Sequence, residues 1–256
     1  MEVEIGRGKK ARRAYGFDDI SVVPSRRTRD PDDVDISWKL GDYRFELPLI
    51  AAAMDGVVSP RTAGIVSELG GLAVLNLEGV FTRYEDAEGQ LERIAALPRE
   101  AATREMQEIY REPVKSELIE QRIREIKEQG GVAAASLTPQ RVRQHYEVAL
   151  EAGLDILVIQ GTVISAEHVS NSSEPLNLKE FALEVPIPVV IGGCASYHTG
   201  LHLMRTGAAG VLVGVGPGAA CTTRGVLGIG VPQATAIADV AAARSQHMLE
   251  LSLIHI

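Results

Sequence analysis

Residues 187–213 read IPVVIGGCASYHTGLHLMRTGAAGVLV and contain a complete strand, helix and strand unit. The apolar run Ile187–Ile191 predicts a buried strand, Ser196 is a typical N-cap for the helix that follows, and Gly207 ends that helix. The run Ala209–Val213 predicts the next strand. Strands that read as continuous apolar runs are typical of parallel sheets whose two faces are covered by helices. This stretch therefore predicts an α/β fold.

The same alternation extends from this unit back towards the N-terminus. Segments of helical period alternate with four earlier apolar runs. Each of these runs predicts a further strand: Leu49–Ala53, Leu72–Leu75, Val132–Ala135 and Asp155–Gln160. Ser59-Pro60 predicts the start of the first helix, and the capping box of Thr82 and Glu85 predicts the start of the second. Six strands alternating with helices are typical of repeated βα units, and the length fits either one α/β barrel or two smaller domains.

Composition places the chain among soluble globular proteins. It has 256 residues, of which 45% are hydrophobic and 23% are charged, and its formal net charge is −8. This acidic balance argues against a nucleic-acid partner, and no window approaches the ~18 apolar residues of a membrane span. Residues 1–13 alternate acids and bases where a secretory signal needs an apolar run, and the two cysteines lie far apart. We therefore expect a cytoplasmic protein without disulfides that binds a small molecule.

A glycine-rich loop follows the last predicted strand, at the end of the sheet where α/β folds place their ligands. Residues 213–224 read VGVGPGAACTTR, with Cys221 as the nucleophile. Repeated glycines let the backbone approach a bound group, and Arg224 with nearby N–H groups would stabilise a thiolate. On these residues alone two interpretations stay open: a catalytic cysteine, or a tight connection that holds a small cysteine.

The loop and the motifs around it resemble the IMP dehydrogenase / GMP reductase family. The family's loop has the form G-x-G-x-G-x-x-C-x-T, which Gly214 to Arg224 matches with Cys221 at the catalytic position. Four further motifs match in the family's order: Phe17-Asp18-Asp19-Ile20 with Pro24, Ala52-Ala53-Met54-Asp55, Ile191-Gly192-Gly193 and Val231-Pro232-Gln233-Ala234-Thr235-Ala236. The resemblance covers roughly residues 15–98 and 131–244.

The resemblance implies a (β/α)8 TIM barrel, which in this sequence is truncated after about six βα units. Residues 1–46 would lead into the barrel, 47–244 would form it with a charged, solvated helical insert at 99–129, and 245–256 would be a non-native tail. The last six residues, LSLIHI, are the translation of a transposase end sequence used in DNA library preparation. We therefore expect the natural protein to continue and the 256-residue chain by itself to be catalytically inert.

The resemblance also implies a covalent mechanism. The Cys221 thiolate would attack C2 of a purine mononucleotide, Thr223 would assist proton transfer, and Met54 would lie beneath the base. Gly218 and Ala219 occupy loop positions that bind the substrate. A dehydrogenase converts IMP, NAD⁺ and water to XMP and NADH, whereas a reductase converts GMP and NADPH to IMP and ammonia. We expect the IMP dehydrogenase reaction, with GMP reductase as the alternative.

Cofactor and cation sites are implied in the same way. NAD or NADP would contact Gln160, Gly161 and Thr162 after the fourth strand, and Gly192 and Gly193 at the end of the fifth. A monovalent cation such as K⁺ would be held by the backbone carbonyls of three loop residues: Gly216, Gly218 and Cys221. The family forms tetramers, so we expect a homotetramer of the full-length protein.

Four positions depart from the family pattern. Gln160 stands in place of an aspartate that faces the nicotinamide, and Cys194 in place of an asparagine. Ala52 and Ala219 stand in place of serines, so a nucleotide-binding protein without catalysis remains a third interpretation. Segment 99–129 takes the place of the regulatory cystathionine-β-synthase-type domains. This favours GMP reductase or the IMP-dehydrogenase-related branch built without those domains, and the loop resembles that branch more.

Overall fold

The computed structural model describes residues 2–161, 164 and 175–254, which divide into two compact units. The unit that we call the sheet unit comprises Asp35–Gln160 and Glu184–Val190. The unit that we call the loop unit comprises the described parts of Met1–Val34, Gly161–Leu183 and Ile191–Ile256. Predicted site residue Thr162 lies outside the described residues.

Strands and helices alternate through most of the described chain. Its strands are β1 Glu2–Gly6, β2 Lys9–Arg12, β3 Trp38–Leu40, β4 Tyr43–Phe45, β5 Ile50–Ala51, β6 Leu72–Asn76, β7 Ala134–Leu137, β8 Ile156–Gln160, β9 Val189–Cys194 and β10 Gly210–Val213. Its α-helices are α1 Pro60–Glu68, α2 Ala87–Ala95, α3 Arg99–Ile109, α4 Ser116–Glu128, α5 Val142–Glu151, α6 Leu178–Glu184, α7 Tyr197–Met204, α8 Thr223–Leu227 and α9 Gln233–Ile254. Short 3₁₀ helices occur at Phe17–Asp19, Pro31–Asp33 and Val80–Thr82.

Strands β5 to β10 form a six-stranded sheet whose spatial order is their order in the chain. The pairs β5/β6, β6/β7 and β7/β8 are parallel. Parallel neighbours that follow each other in the chain require a crossover between them, and a helix supplies it in each βα unit. The predicted α/β fold is therefore confirmed, with the six strands of a partial TIM barrel.

Strand β9 runs three residues further than the apolar run that predicts it. Gly192 and Gly193 continue the strand because β10 passes very close to them. A Cβ atom on Gly192 would lie 2.4 Å from the Leu212 Cβ, and one on Gly193 would lie 2.4 Å from the Gly214 carbonyl oxygen. Glycine is the residue that allows such a close backbone approach.

The capping box predicted at Thr82 does not form. The Thr82 hydroxyl is buried and donates to the Leu77 carbonyl at 2.8 Å, so it ties down the loop after β6. Helix α2 begins later, with Asp86 as the N-cap whose carboxylate accepts from the Gly89 N–H. The bond to Leu77 forms instead of the helix cap because Thr82 lies in a buried 3₁₀ turn, where its hydroxyl needs a partner within the protein.

Segment 99–129 is helical; its first helix, α3, is mostly exposed as predicted, but its second helix, α4, is not solvated. Its apolar stripe is 0–3% exposed and consists of Leu118, Ile119, Ile123 and Ile126. Helix α4, which carries the stripe, packs against α1 and α5. Burial of one such side chain stabilises the fold by about 1.5–3 kcal/mol, so α4 is a core helix, and most of its charged residues, Arg122 excepted, lie outside its buried face.

The loop unit is organised around its long last helix, α9. This helix packs against α7, and Arg205 at the end of α7 makes a bidentate ion pair with Glu250. Arg12 of β2 binds Asp239 on the same helix. Helix α9 thus continues past residue 245, where the predicted tail begins. None of the helices in the described ranges is long and apolar enough to cross a membrane.

Candidate active site

The loop that carries Cys221 is closed at its base by backbone hydrogen bonds. The Gly214 N–H donates to the Cys194 carbonyl at 2.7 Å and joins the end of β10 to β9. Val215 and Val231 form an antiparallel bridge in which the Val231 N–H donates to the Val215 carbonyl at 3.0 Å. We call residues 214–231 the cysteine loop.

A side chain from α9 reinforces this closure. The Gln233 Nε2 group donates to the Val213 carbonyl at 2.9 Å. Gly214 has φ of +136°, and a Cβ atom there would lie 2.7 Å from the Gln233 Oε1 atom. Glycine is therefore required at residue 214 both for its backbone conformation and for space.

Within the loop, glycines make room for the stem of Arg224. A Cβ atom on Gly216 would lie 2.9 Å from the Arg224 Cγ atom, and one on Gly230 would lie 2.4 Å from it. The Gly218 carbonyl accepts the Cys221 N–H at 3.1 Å, which makes a turn just before the cysteine. The predicted Gly216, Gly218 and Cys221 are thus brought together in one folded loop.

The Cys221 side chain is exposed and forms a hydrogen bond with its predicted partner. Its Sγ atom lies 3.3 Å from the Thr223 Oγ1 atom. The hydrogen bond from the Thr223 side chain lowers the pKa of the Cys221 thiol, and the Thr223 N–H and the Arg224 charge act in the same direction. A lower pKa means more thiolate at neutral pH, and the thiolate is the nucleophilic form.

Cys194 differs from Cys221 in every respect that governs reactivity. It is 1% exposed at the end of β9, and burial raises the pKa of its thiol. A buried neutral thiol is a poor nucleophile. Cys194 therefore serves as a small packed residue, and the two thiols can be distinguished by reagents in solution.

The predicted cofactor glycines form hydrogen bonds with one another within the loop unit. The Gly161 N–H donates to the Gly192 carbonyl at 3.0 Å, and the Gly193 N–H donates to the Gly161 carbonyl at 3.2 Å.

The predicted site residues Ala219, Met54 and Gln160 are exposed. Ala219 lies in the cysteine loop. Met54, which is 53% exposed after β5, and Gln160, which is exposed at the end of β8, belong to the sheet unit.

Comparison with known proteins assigns the chain to a family. Residues 14–254 match the sequence profile of the IMP dehydrogenase / GMP reductase domain. The chain belongs to this family. The motifs quoted from its sequence therefore carry a true relationship, and the partial TIM barrel is the fold of that domain.

Relatives of this IMP dehydrogenase / GMP reductase family member differ in how specifically they are named. An "uncharacterized oxidoreductase" of Mycolicibacterium smegmatis is 48% identical, over 97% of this chain and 68% of that protein. The "inosine-5'-monophosphate dehydrogenase" of Cryptosporidium parvum is 27% identical, over 86% of this chain and 56% of that protein. A crystal structure of an "IMP dehydrogenase/GMP reductase-like protein" from Corynebacterium glutamicum has a TM-score of 0.91 at 44% identity, covering 98% of this chain and 67% of that one.

The sheet unit contains a second polar cluster, which the sequence patterns do not reveal. Asp55, four residues after β5, accepts the Val80 N–H at 3.0 Å and also accepts the hydroxyl of Tyr110 through the same oxygen, Oδ2. Partial burial, followed by the bond to Asp55, raises the pKa of the Tyr110 hydroxyl well above its usual range. The Arg83 guanidinium lies over the Tyr110 ring, 5.2 Å from its centre. Asp55 belongs to a recognisable motif, but nothing in the charged segment around Tyr110 marks that residue.

Side-chain metal ligands do not cluster in the part of the chain that the structure describes. Within those residues, no group of three or more His, Cys, Asp or Glu side chains could hold a metal ion.

Proposed function

We propose that this family member is a purine-nucleotide oxidoreductase of the IMP dehydrogenase kind, with Cys221 as its covalent nucleophile. The observation that carries the proposal is an exposed thiol in a closed glycine loop, 3.3 Å from a hydroxyl oxygen that favours its ionised form. Membership of the IMP dehydrogenase / GMP reductase family supports the substrate class. The name of the Cryptosporidium relative supports the direction of the reaction.

In this proposal the Cys221 thiolate forms a bond to C2 of IMP, and the hydride on C2 passes to NAD⁺. Water then adds to C2, the carbon–sulfur bond breaks, and Cys221 leaves as a thiolate. IMP, NAD⁺ and water thereby become XMP, NADH and one proton. Thr223 donates its hydroxyl hydrogen to the sulfur when the thiolate is free and assists in moving the proton from water.

A nicotinamide cofactor, NAD or NADP, fits the predicted residues only in part. The exposed Gln160 carboxamide, which has no hydrogen-bond partner among the described residues, could donate to and accept from a carboxamide or ribose hydroxyl. The backbone groups of Gly161 and Gly193 already bind within the sheet, so their contribution would be space rather than hydrogen bonds. When bound, the cofactor accepts the hydride; the residues of this chain orient it.

A monovalent cation such as K⁺ fits the cysteine loop as a carbonyl-bound ion. The Gly218 carbonyl accepts the Cys221 N–H and keeps one lone pair for a cation. Gly216 has φ of +72°, a left-handed conformation that glycine adopts readily in a tight loop. The carbonyls of Gly216, Gly218 and Cys221 would hold the ion, which would stiffen the segment before the nucleophile.

GMP reductase is the second candidate function. Segment 99–129 forms helices α3 and α4 in the place of a regulatory domain pair, and the resemblance connects this arrangement with reductases. A reductase would use the same Cys221 bond to C2, expel ammonia and accept hydride from NADPH. A nucleotide-binding protein without catalysis would retain the loop but form no adduct.

One set of assays distinguishes these functions in the complete gene product. Turnover of IMP with NAD⁺ supports the proposal, whereas turnover of GMP with NADPH supports the reductase. A purine nucleotide analogue that is reactive at C2 should label Cys221, as mapped by mass spectrometry. Labelling at Cys194, or binding without any adduct, would refute the covalent role. Light scattering on the same sample tests the homotetramer that we propose from the family.

A further inference from the structure

Segment 99–129 is fastened to the loop after β6 by two buried arginines. Arg83, 6% exposed, donates through Nε and Nη2 to the Glu78 carbonyl and through Nη1 to the carbonyls of Tyr110 and Glu112. Arg122, 7% exposed, donates to three carbonyls of the same loop: Phe81, Tyr84 and Glu85. Charged donors that satisfy several buried carbonyls make a rigid connection.

Because Arg83 holds the Tyr110 carbonyl, the Tyr110 hydroxyl lies where it donates a hydrogen bond to Asp55. The carboxylate of Asp55 is held through Oδ2, while its Oδ1 atom is buried and has no hydrogen-bond partner among the described residues. Oδ1 packs against Gly79, where a Cβ atom would lie only 1.8 Å from it. The carboxylate therefore occupies one narrow position, defined by Tyr110 and Val80 on one oxygen and by Gly79 on the other.

We propose that Tyr110 is a positioning residue that holds the Met54-Asp55-Gly56 turn and, through it, the Met54 side chain beneath the purine base. The part that concerns the base rests on the proposed function. Tyr110 would touch no substrate atom; it would act through its hydrogen bond to Asp55.

Met54 depends on its backbone for its position. Its side chain is 53% exposed, so packing does not hold it. Its carbonyl accepts the Val57 and Val58 N–H groups at 2.8 and 2.9 Å, and its own N–H donates to the Ala52 carbonyl. The Asp55 side chain leaves this turn directly after Met54. If Asp55 lost one of its two hydrogen-bond donors, the turn that holds Met54 would loosen. Even a small displacement of Met54 would then weaken substrate binding.

The test is Tyr110→Phe in the complete gene product, which removes one oxygen and keeps the ring beneath Arg83. The matched control is Tyr146→Phe, because the Tyr146 hydroxyl also binds carboxylates, Glu184 at 2.9 Å and Glu147 at 3.2 Å, but neither belongs to the Met54-Asp55-Gly56 turn. We expect Tyr110→Phe to raise the KM for the nucleotide about tenfold and to change kcat less than threefold. The control should change neither constant.

Two further measurements separate positioning from general destabilisation. Hydrogen exchange of residues 52–58 should become faster in Tyr110→Phe and not in Tyr146→Phe. Gly79→Ala, which pushes Asp55 away with Tyr110 intact, should reproduce the higher KM. An unchanged KM with unchanged exchange at 52–58, or an equal fall of kcat and stability without a change in KM, would overturn the role of Tyr110.

The exchange measurement also keeps this inference distinct from the proposed function. If the wild-type protein bound no purine nucleotide, the proposed function would fail, and with it the link to the base. Faster exchange at residues 52–58 in Tyr110→Phe would then still establish that Tyr110 holds the turn, and unchanged exchange would refute it.

Discussion

The cysteine loop and the Asp55–Tyr110 cluster differ in how far apart in the sequence their interacting residues lie. The partner of Cys221 lies two residues away in sequence, and both the thiol and its loop are exposed. The partners of Asp55, Val80 and Tyr110, lie 25 and 55 residues away, and the carbonyl of Tyr110 is held by the buried Arg83. Chemistry in the first region can thus be changed without unfolding, whereas the second couples position to stability.

This difference predicts which substitutions should change reactivity and which should change the free energy of unfolding. Removing a group from the cysteine loop should change reactivity and leave the free energy of unfolding almost unchanged, because the side chains are solvated. Removing a group from the arginine network should leave buried carbonyls without donors and destabilise the sheet unit. Four predictions test this contrast, and each uses the complete gene product.

The largest effect is expected for Cys221→Ala. Turnover and covalent labelling should both be lost because no other exposed thiol exists among the described residues. The free energy of unfolding, measured in urea, should stay within about 0.5 kcal/mol of wild type. Cys194→Ala is the matched control and should retain the label. Turnover that survives Cys221→Ala would show that the reaction does not pass through this thiol.

Thr223→Ala should lower turnover by about 10²- to 10⁴-fold while nucleotide binding changes little, because the hydroxyl assists proton transfer. The same change removes the main cause of the lowered Cys221 pKa, so the midpoint of the alkylation rate against pH should move upward. Thr222→Ala, at a neighbouring exposed position, is the control. Weaker binding with normal turnover would instead make Thr223 a substrate-positioning residue.

Arg83→Met should destabilise the protein by about 3 kcal/mol, because buried carbonyls lose their donor. Urea unfolding measures the loss, and alkylation of Cys221 by iodoacetamide should proceed at the wild-type rate in the folded protein. Arg111→Met is the control, since Arg111 makes only an exposed ion pair with Glu108. Equal stability of the two variants would contradict the rigid connection between Tyr110 and the sheet.

The smallest effect is expected for Gln233→Met, which keeps the side-chain length and removes the bond to the Val213 carbonyl. We expect a loss of about 1 kcal/mol and faster hydrogen exchange in residues 214–231. Gln246→Met, on the same helix but bonded to exposed Glu250, is the control. If exchange in the cysteine loop did not respond, the two backbone bonds at its base would suffice to close it.

Much of the fold was predictable because its signals are local. All six predicted strands overlap β5 to β10, since continuous apolar runs bounded by caps and glycines report buried strands directly. The helical character of segment 99–129 was also predictable. The burial of its second helix, α4, was not predictable, because charged residues outnumber the residues of the apolar stripe. Only the packing of α4 against α1 and α5 shows that Ile119 and Ile123 are core residues.

The sequence by itself determined the α/β alternation and the family, and it predicts Cys221 as the nucleophile, because each depends on residue types at short, fixed spacings. Only the tertiary structure decided that Thr82 bonds to Leu77 instead of capping a helix and that Tyr110 reaches Asp55. A polar group that folding buries must find whichever partner the distant chain brings within about 3 Å, and no local pattern encodes that partner.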